Sequence, residues 1–118
     1  QCIYNLDKFE KWMEGVRKRR LHENLFIMAG ITPCKSAGMA RYMQKKVPGM
    51  DVPEELVKRL AALPKDKQAE EGITIAVEAI ERLKKVEGVH GFHIMAIEWE
   101  HKVPEIVRRA GLYPRPAV

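Results

Sequence analysis

The chain has 118 residues, 46% apolar and 31% charged, with a formal net charge of +5. That balance excludes a disordered polyelectrolyte, and no apolar run approaches the ~20 residues of a membrane span. The length fits one small domain or part of a larger one.

The first residues, Gln1-Cys-Ile-Tyr4, read as the last residues of a strand, so the chain is expected to begin inside an element and to be a fragment. Gln1 to Asp7 has no basic n-region and no long apolar stretch, unlike a signal peptide. Asp7 and Glu10 have capping-box spacing, and Phe9, Trp12, Met13 and Val16 recur at helical spacing, predicting a helix over 7–20 with Trp12 in the core. That helix ends in Arg17-Lys18-Arg19-Arg20, where cations complement exposed carbonyls. Lys45-Lys46 and Lys84-Lys85 are smaller basic patches, and no aromatic residue interrupts any of the three, which argues against nucleic-acid binding.

Leu25 to Gly30 reads as a buried strand leaving through Gly30-Ile31-Thr32-Pro33. Ser36 is placed to cap a helix carrying Met39 and Met43, which Pro48-Gly49 stops. Asp51 and Glu54 repeat the capping spacing before a helix with Leu56, Val57, Leu60 and Leu63, broken at Pro64. From about Asp66 a long helix carries Ile73, Ala76, Val77, Ile80 and Leu83, with Gly72 at a point of close packing. Phe92 to Ile97 is an apolar run broken only by His93, which suits a strand covered on both faces, with His93 in the core. A last helix starts near Pro104, uses Val103, Ile106, Val107 and Ala110, and ends at Gly111; an extended tail follows from Leu112 to Val118.

Strands separated by helices, with no hairpin signal, predict an α/β fold with a parallel sheet. Two and a half strands do not make a doubly covered sheet alone. The C-terminal portion of a (β/α)8 barrel fits best, about its last two to three β/α units; a small flavodoxin-like domain is the rival. In a barrel the active face lies at the C-terminal strand ends, here Gln1 to Asn5, Gly30 to Lys35 and Ile97 to His101. Gln1 offers a donor and an acceptor for an amide-like heterocycle edge, or for capping a neighbouring strand end. Thr32 and Lys35 are candidates for holding an anion. Glu98 and Glu100 would share a face if the strand ran on, giving a carboxylate pair for acid chemistry; a turn would leave both solvated, the favoured reading. Cys2 and Cys34 are the only cysteines, with no Cys-x-x-Cys and no base partner, so reduced thiols and a cytoplasmic location are expected, and nucleophilic catalysis is not. The histidines have no zinc-binding spacing, and no metal is expected.

Four stretches carry a resemblance to a known family: Gln1-Cys-Ile-Tyr-Asn-Leu-Asp-Lys-Phe9, Ala29-Gly-Ile-Thr-Pro-Cys-Lys-Ser-Ala-Gly-Met-Ala-Arg-Tyr-Met43, Val47-Pro-Gly-Met-Asp-Val-Pro-Glu-Glu-Leu56 and Gly88-Val-His-Gly-Phe-His-Ile-Met-Ala-Ile-Glu-Trp-Glu100. In order and spacing they resemble the methylenetetrahydrofolate reductases, flavin-dependent enzymes built on a (β/α)8 barrel. The resemblance implies that residues 1–118 run from the end of strand six through helix eight, with no separate second domain. It implies reduction of 5,10-methylenetetrahydrofolate to 5-methyltetrahydrofolate: NADH or NADPH gives hydride to FAD, and the flavin passes it to the methylene carbon. Gln1 matches the glutamine that contacts the pterin ring, and Ile97 an apolar position near flavin and folate. Met43 stands where some members place an aromatic folate contact, Met39 where some place a glutamine, and Trp99 where an arginine is expected. Met43 and Trp99 are thus candidate substrate contacts that depart from the family pattern. The proton-donating acid and most FAD contacts belong to earlier strands, so no catalytic residue is assigned, Glu98 and Glu100 included, and the chain alone is expected to be inactive. A homo-oligomer or a partner reductase subunit is compatible with this reading. The alternative is a non-catalytic binding or assembly module on the same barrel fold.

Overall fold

A computed structural model describes residues 1–115 and 117. The chain runs α1 (Leu6–Lys18), β1 (Ile27–Ile31), α2 (Ala37–Lys46), α3 (Glu54–Ala61), α4 (Lys65–Leu83), β2 (Val89–Ile94) and α5 (Val103–Arg109), with 3-10 turns at Leu21–Glu23 and Glu100–Lys102. The expected α/β alternation is therefore present.

β1 and β2 pair in parallel, Ala29 opposite Phe92 and Ile31 opposite Ile94, with an irregularity after Ile27. On the other edge of β1, Cys2 forms a parallel bridge with Gly30, and the Ile3 amide donates to the Gly30 carbonyl at 2.9 Å. The lateral order is thus residues 1–3, β1, β2, all in one direction. Gly30 is required by that approach, since a Cβ there would stand 2.1 Å from the Gln1 carbonyl oxygen.

The two faces of this sheet differ. Ala29, Ile31, Phe92 and Ile94 point toward α4 and α5 and pack with Ile73, Ile80, Leu83 and Ile106 in the main core. Residues of alternating parity, Met28 and His93, point the other way and are exposed. The expectation of a strand covered on both faces is corrected: within the described residues one face is open, and His93 lies on it rather than in the core. A second core lies between α2 and α3, built from Cys34, Ala40, Met43, Val52, Val57 and Leu60. Gly72 lets α4 cross the loop after β1, because a Cβ there would stand 1.8 Å from the Cys34 carbonyl oxygen.

Several boundaries move for identifiable reasons. α1 is capped by Asn5, whose side chain accepts from the Lys8 amide at 3.0 Å, instead of by Asp7. Asp7 and Glu10 are held by Arg82 of α4 instead. Asp51 does not cap α3; its carboxylate takes Lys8 at 2.9 Å and Asn5 at 3.2 Å, and Pro53 occupies the cap position. Ser36 does cap α2, accepting from the Met39 amide at 3.1 Å. β1 starts two residues later than expected, leaving Leu25 and Phe26 exposed, Phe26 at 88%. β2 lies three residues earlier than Phe92–Ile97, because the chain turns after Met95. Trp12 is 56% exposed, stacked on Phe9 at 5.7 Å instead of buried. α5 ends as expected at Gly111 (φ 65°), where Gly111 and Leu112 amides donate to the Arg108 and Val107 carbonyls and close the last turn. Of the expected extended tail, Pro116 and Val118 lie outside the described residues. No described helix is long and apolar enough to cross a membrane.

Candidate functional site

Because the three ribbons are parallel, the segments leaving them, Tyr4–Asn5, Thr32–Ser36 and Met95–Trp99, gather at one end of the sheet. Gln1, at the edge of this region, is exposed, and its side-chain amide donates to the Gly49 carbonyl at 3.4 Å. Gly49 sits at φ 81° in the turn that stops α2, a left-handed conformation suited to glycine. The Gln1 contact is long and leaves the side-chain oxygen available as an acceptor.

Behind Gln1 lies a small polar network. Cys2 Sγ and Thr32 Oγ1 are 2.7 Å apart, the Tyr4 hydroxyl donates to the Thr32 carbonyl at 3.0 Å, and Cys34 Sγ donates to the Tyr4 oxygen at 3.5 Å. Burial pushes the Tyr4 hydroxyl above the ordinary phenol range, and burial likewise pushes the Cys34 thiol up. Both stay neutral at physiological pH, so Cys34 is a poor nucleophile. Thr32 is buried with its hydroxyl engaged by Cys2, which corrects the expectation that it is free to hold an anion. No group of three metal-binding side chains occurs among the described residues.

At the end of β2 the Met95 amide still donates to Ile31 at 2.8 Å, and the chain then folds into a turn in which the Trp99 amide donates to Ala96 O at 3.4 Å. Within it Glu98 adopts φ 51°, a left-handed conformation that is unfavourable for a non-glycine residue. Its result is a reversal of facing between neighbours: Ile97 is 52% exposed and Trp99 only 7%. The turn leaves Glu98 and Glu100 exposed, the arrangement favoured over a carboxylate pair on one strand face.

The four expected contact residues thus divide. Gln1 and Ile97 are exposed at the strand ends. Met43 is buried in the α2–α3 core and Trp99 in the sheet–helix core. A cavity of about 430 Å³ borders the polar network on the helix-covered side, where Tyr4, Thr32 and Cys34 line it together with Leu6, Leu56 and Ala79. None of the four lines it, and sequence periodicity carried no sign of it, because it forms where three helices meet the loop after β1. Its two arginines are already engaged: Arg59 by Glu71 and by Glu78 at 2.6 Å, Arg82 by Asp7 and by Glu10 at 2.7 Å.

The family model described as methylenetetrahydrofolate reductase matches residues 1–111. The chain belongs to the methylenetetrahydrofolate reductase family. It is 31% identical over 119 residues to a protein of Schizosaccharomyces pombe, methylenetetrahydrofolate reductase 2. That match covers 95% of this chain and 18% of the yeast protein.

Proposed function

We propose that residues 1–118 form the C-terminal portion of a (β/α)8 reductase barrel, from the end of strand six through helix eight, and supply part of its folate site. The intact, cytoplasmic protein would reduce 5,10-methylenetetrahydrofolate to 5-methyltetrahydrofolate with NAD(P)H through FAD. The observation that carries this reading is the parallel order of residues 1–3, β1 and β2, with Gln1 and Ile97 exposed at the ends of its outer ribbons. The open sheet face around Met28 and His93 is where the remaining barrel strands would pack.

In this reading the Gln1 side-chain amide donates to and accepts from the amide-like edge of the pterin, which fixes the ring's orientation. Ile97 provides an apolar surface that excludes water beside the reacting carbon. Met43 and Trp99 support the site from the two cores instead of from its open surface. FAD, when bound, supplies hydride transfer. Around the cavity, Arg59 and Arg82 are each held by two carboxylates and Thr32 is engaged by Cys2, so these three offer no free donor to the FAD diphosphate. No catalytic residue is assigned within the chain.

Two measurements test the reading. In the intact protein, Gln1→Ala should raise KM for methylenetetrahydrofolate about tenfold, the loss of about one good hydrogen-bonded contact. The NAD(P)H–menadione rate, which needs no folate, should stay unchanged. A lowered menadione rate with unchanged folate KM would overturn the assignment. Residues 1–118 expressed alone with FAD, NAD(P)H and menadione should not turn over; a rate like that of a normal reductase would contradict the partial-barrel reading.

A further inference from the structure

The left-handed residue at the end of β2 needs a cause. Glu98 carries a carboxylate that is exposed and makes no hydrogen bond among the described residues, so its own side chain does not hold it at φ 51°. Its neighbours do. Ala96 is buried on one side and Trp99 on the other. The Trp99 amide closes the turn onto Ala96 O, and the Trp99 carbonyl accepts from the Lys102 amide at 3.0 Å, joining the turn to the 3-10 segment that leads into α5. The indole itself belongs to the core that contains Ile80, Leu83, Ile106 and Ala110. A side chain of that size withdrawn into the core fixes where residue 99 sits, and residue 98 must then adopt the left-handed step for the chain to connect.

We propose that Trp99 is a positioning residue of the folate site: its buried indole holds the left-handed Glu98 turn and so fixes Ile97 on the exposed side of the strand end. The inference rests on the proposed folate-binding role of that end. It differs from direct stacking of Trp99 on the substrate, which requires the indole to face the ligand. A positioning role needs a bulky apolar anchor at residue 99 but no ligand contact. It also needs a residue at 98 that is held in place by its surroundings and not by its own preference.

The test uses the intact enzyme, with methylenetetrahydrofolate reduction and NAD(P)H–menadione turnover measured separately. Trp99→Phe keeps an apolar anchor and should leave the folate KM within about twofold of wild type. Trp99→Ala removes the anchor and should raise that KM about tenfold or more, as misplacement of a contact by a fraction of an ångström does, a larger change than any in the menadione rate. Glu98→Gly relaxes the turn without touching the core. It should leave the folate KM within about twofold of wild type while thermal stability holds or rises, because glycine takes a left-handed step readily and the indole still anchors residue 99. A several-fold rise of the folate KM in Glu98→Gly, or a wild-type KM in a folded Trp99→Ala, would overturn the proposal.

Fluorine NMR of enzyme labelled with 5-fluorotryptophan supplies a readout that activity cannot. The Trp99 resonance, identified by its loss in Trp99→Phe, should show no water-to-deuterium-oxide shift, with or without 5-methyltetrahydrofolate. A resonance that is solvent-exposed in the free enzyme and becomes shielded on adding 5-methyltetrahydrofolate would show direct stacking and overturn the positioning role. Should the wild-type enzyme bind and turn over no folate at all, the proposed function falls first and the positioning role with it. Folate turnover in the wild type that is indifferent to Trp99→Ala removes the positioning role alone.

Discussion

The covered and open faces of the same two strands differ in character: the first is apolar throughout, and the second carries Met28 of β1 and His93 of β2. On the covered face, Ala29, Ile31, Phe92 and Ile94 meet α4 and α5 in a closed apolar core. On the open face, Met28 is 53% exposed although it alternates with buried neighbours only one residue away. A strand that reads as continuously apolar is built to be buried twice. The comparison teaches that β1, through Met28, presents apolar surface that these residues do not bury, which is a physical argument for further strands against the open face.

Substitutions on the two faces should separate this account from one in which the unit is complete. The largest effect is expected at the covered face. Ile80→Ala should destabilise by about 3 kcal/mol through lost burial and a residual cavity, read from the urea midpoint. Gly72→Ala should cost about as much, roughly 3 kcal/mol, because its Cβ meets a backbone carbonyl that a rotamer change does not relieve. The open face should respond oppositely in two contexts. Met28→Lys in residues 1–118 should change stability by less than about 0.5 kcal/mol, as for an ordinary surface site. In the intact protein the same change should lower the melting temperature clearly, since a lysine there would lose its water. Equal tolerance in both contexts would mean the face is never covered.

The smallest effect concerns the ion pairs that knit the helices on the covered side. Hydrogen bonds from Arg82 hold the Glu10 carboxyl below its ordinary value of 4.5, and those from Arg59 do the same for Glu78. A carboxyl whose pKa is lower folded than unfolded contributes stability that is full above its unfolded value. That contribution is lost as pH falls through the folded one. Stability should therefore fall below about pH 4.5, modestly, because these groups are solvent-screened. Replacing Arg59 and Arg82 by glutamine should flatten the dependence of the urea midpoint between about pH 6 and pH 3.

Much of the fold was legible because local rules and packing agreed. Ser36 caps the helix it was expected to cap, and Gly111 closes the last helix. Gly72 marks a close crossing, and the strands run parallel. The misplacements share a cause, namely side chains claimed by distant partners. Asp7 and Glu10 satisfy the capping-box spacing, but Arg82, more than 70 residues away, takes both carboxylates while Asn5 caps the helix. Asp51 is likewise drawn to Asn5 and Lys8. The strand end of β2 was misplaced because Met95, Ala96 and Ile97 continue its apolar run, and nothing in composition marks Glu98 as left-handed. The same turn explains why residues 97 and 99, on either side of Glu98 and both read as substrate contacts, end on opposite sides of the surface. Gln1 and Ile97 were singled out through family resemblance and prove exposed, whereas the inward placement of Met43 and Trp99 depends on tertiary packing that no local pattern encodes.

The central claim is that this chain helps to form the folate site of a flavin-dependent methylenetetrahydrofolate reductase. The most direct measurement is the visible absorption spectrum of the intact parent protein through a redox cycle. The account predicts a flavin band that NAD(P)H bleaches and that methylenetetrahydrofolate restores, with Gln1→Ala slowing the restoration and sparing the bleaching. A protein with no flavin band, or one whose bleached flavin methylenetetrahydrofolate does not reoxidise, would contradict it.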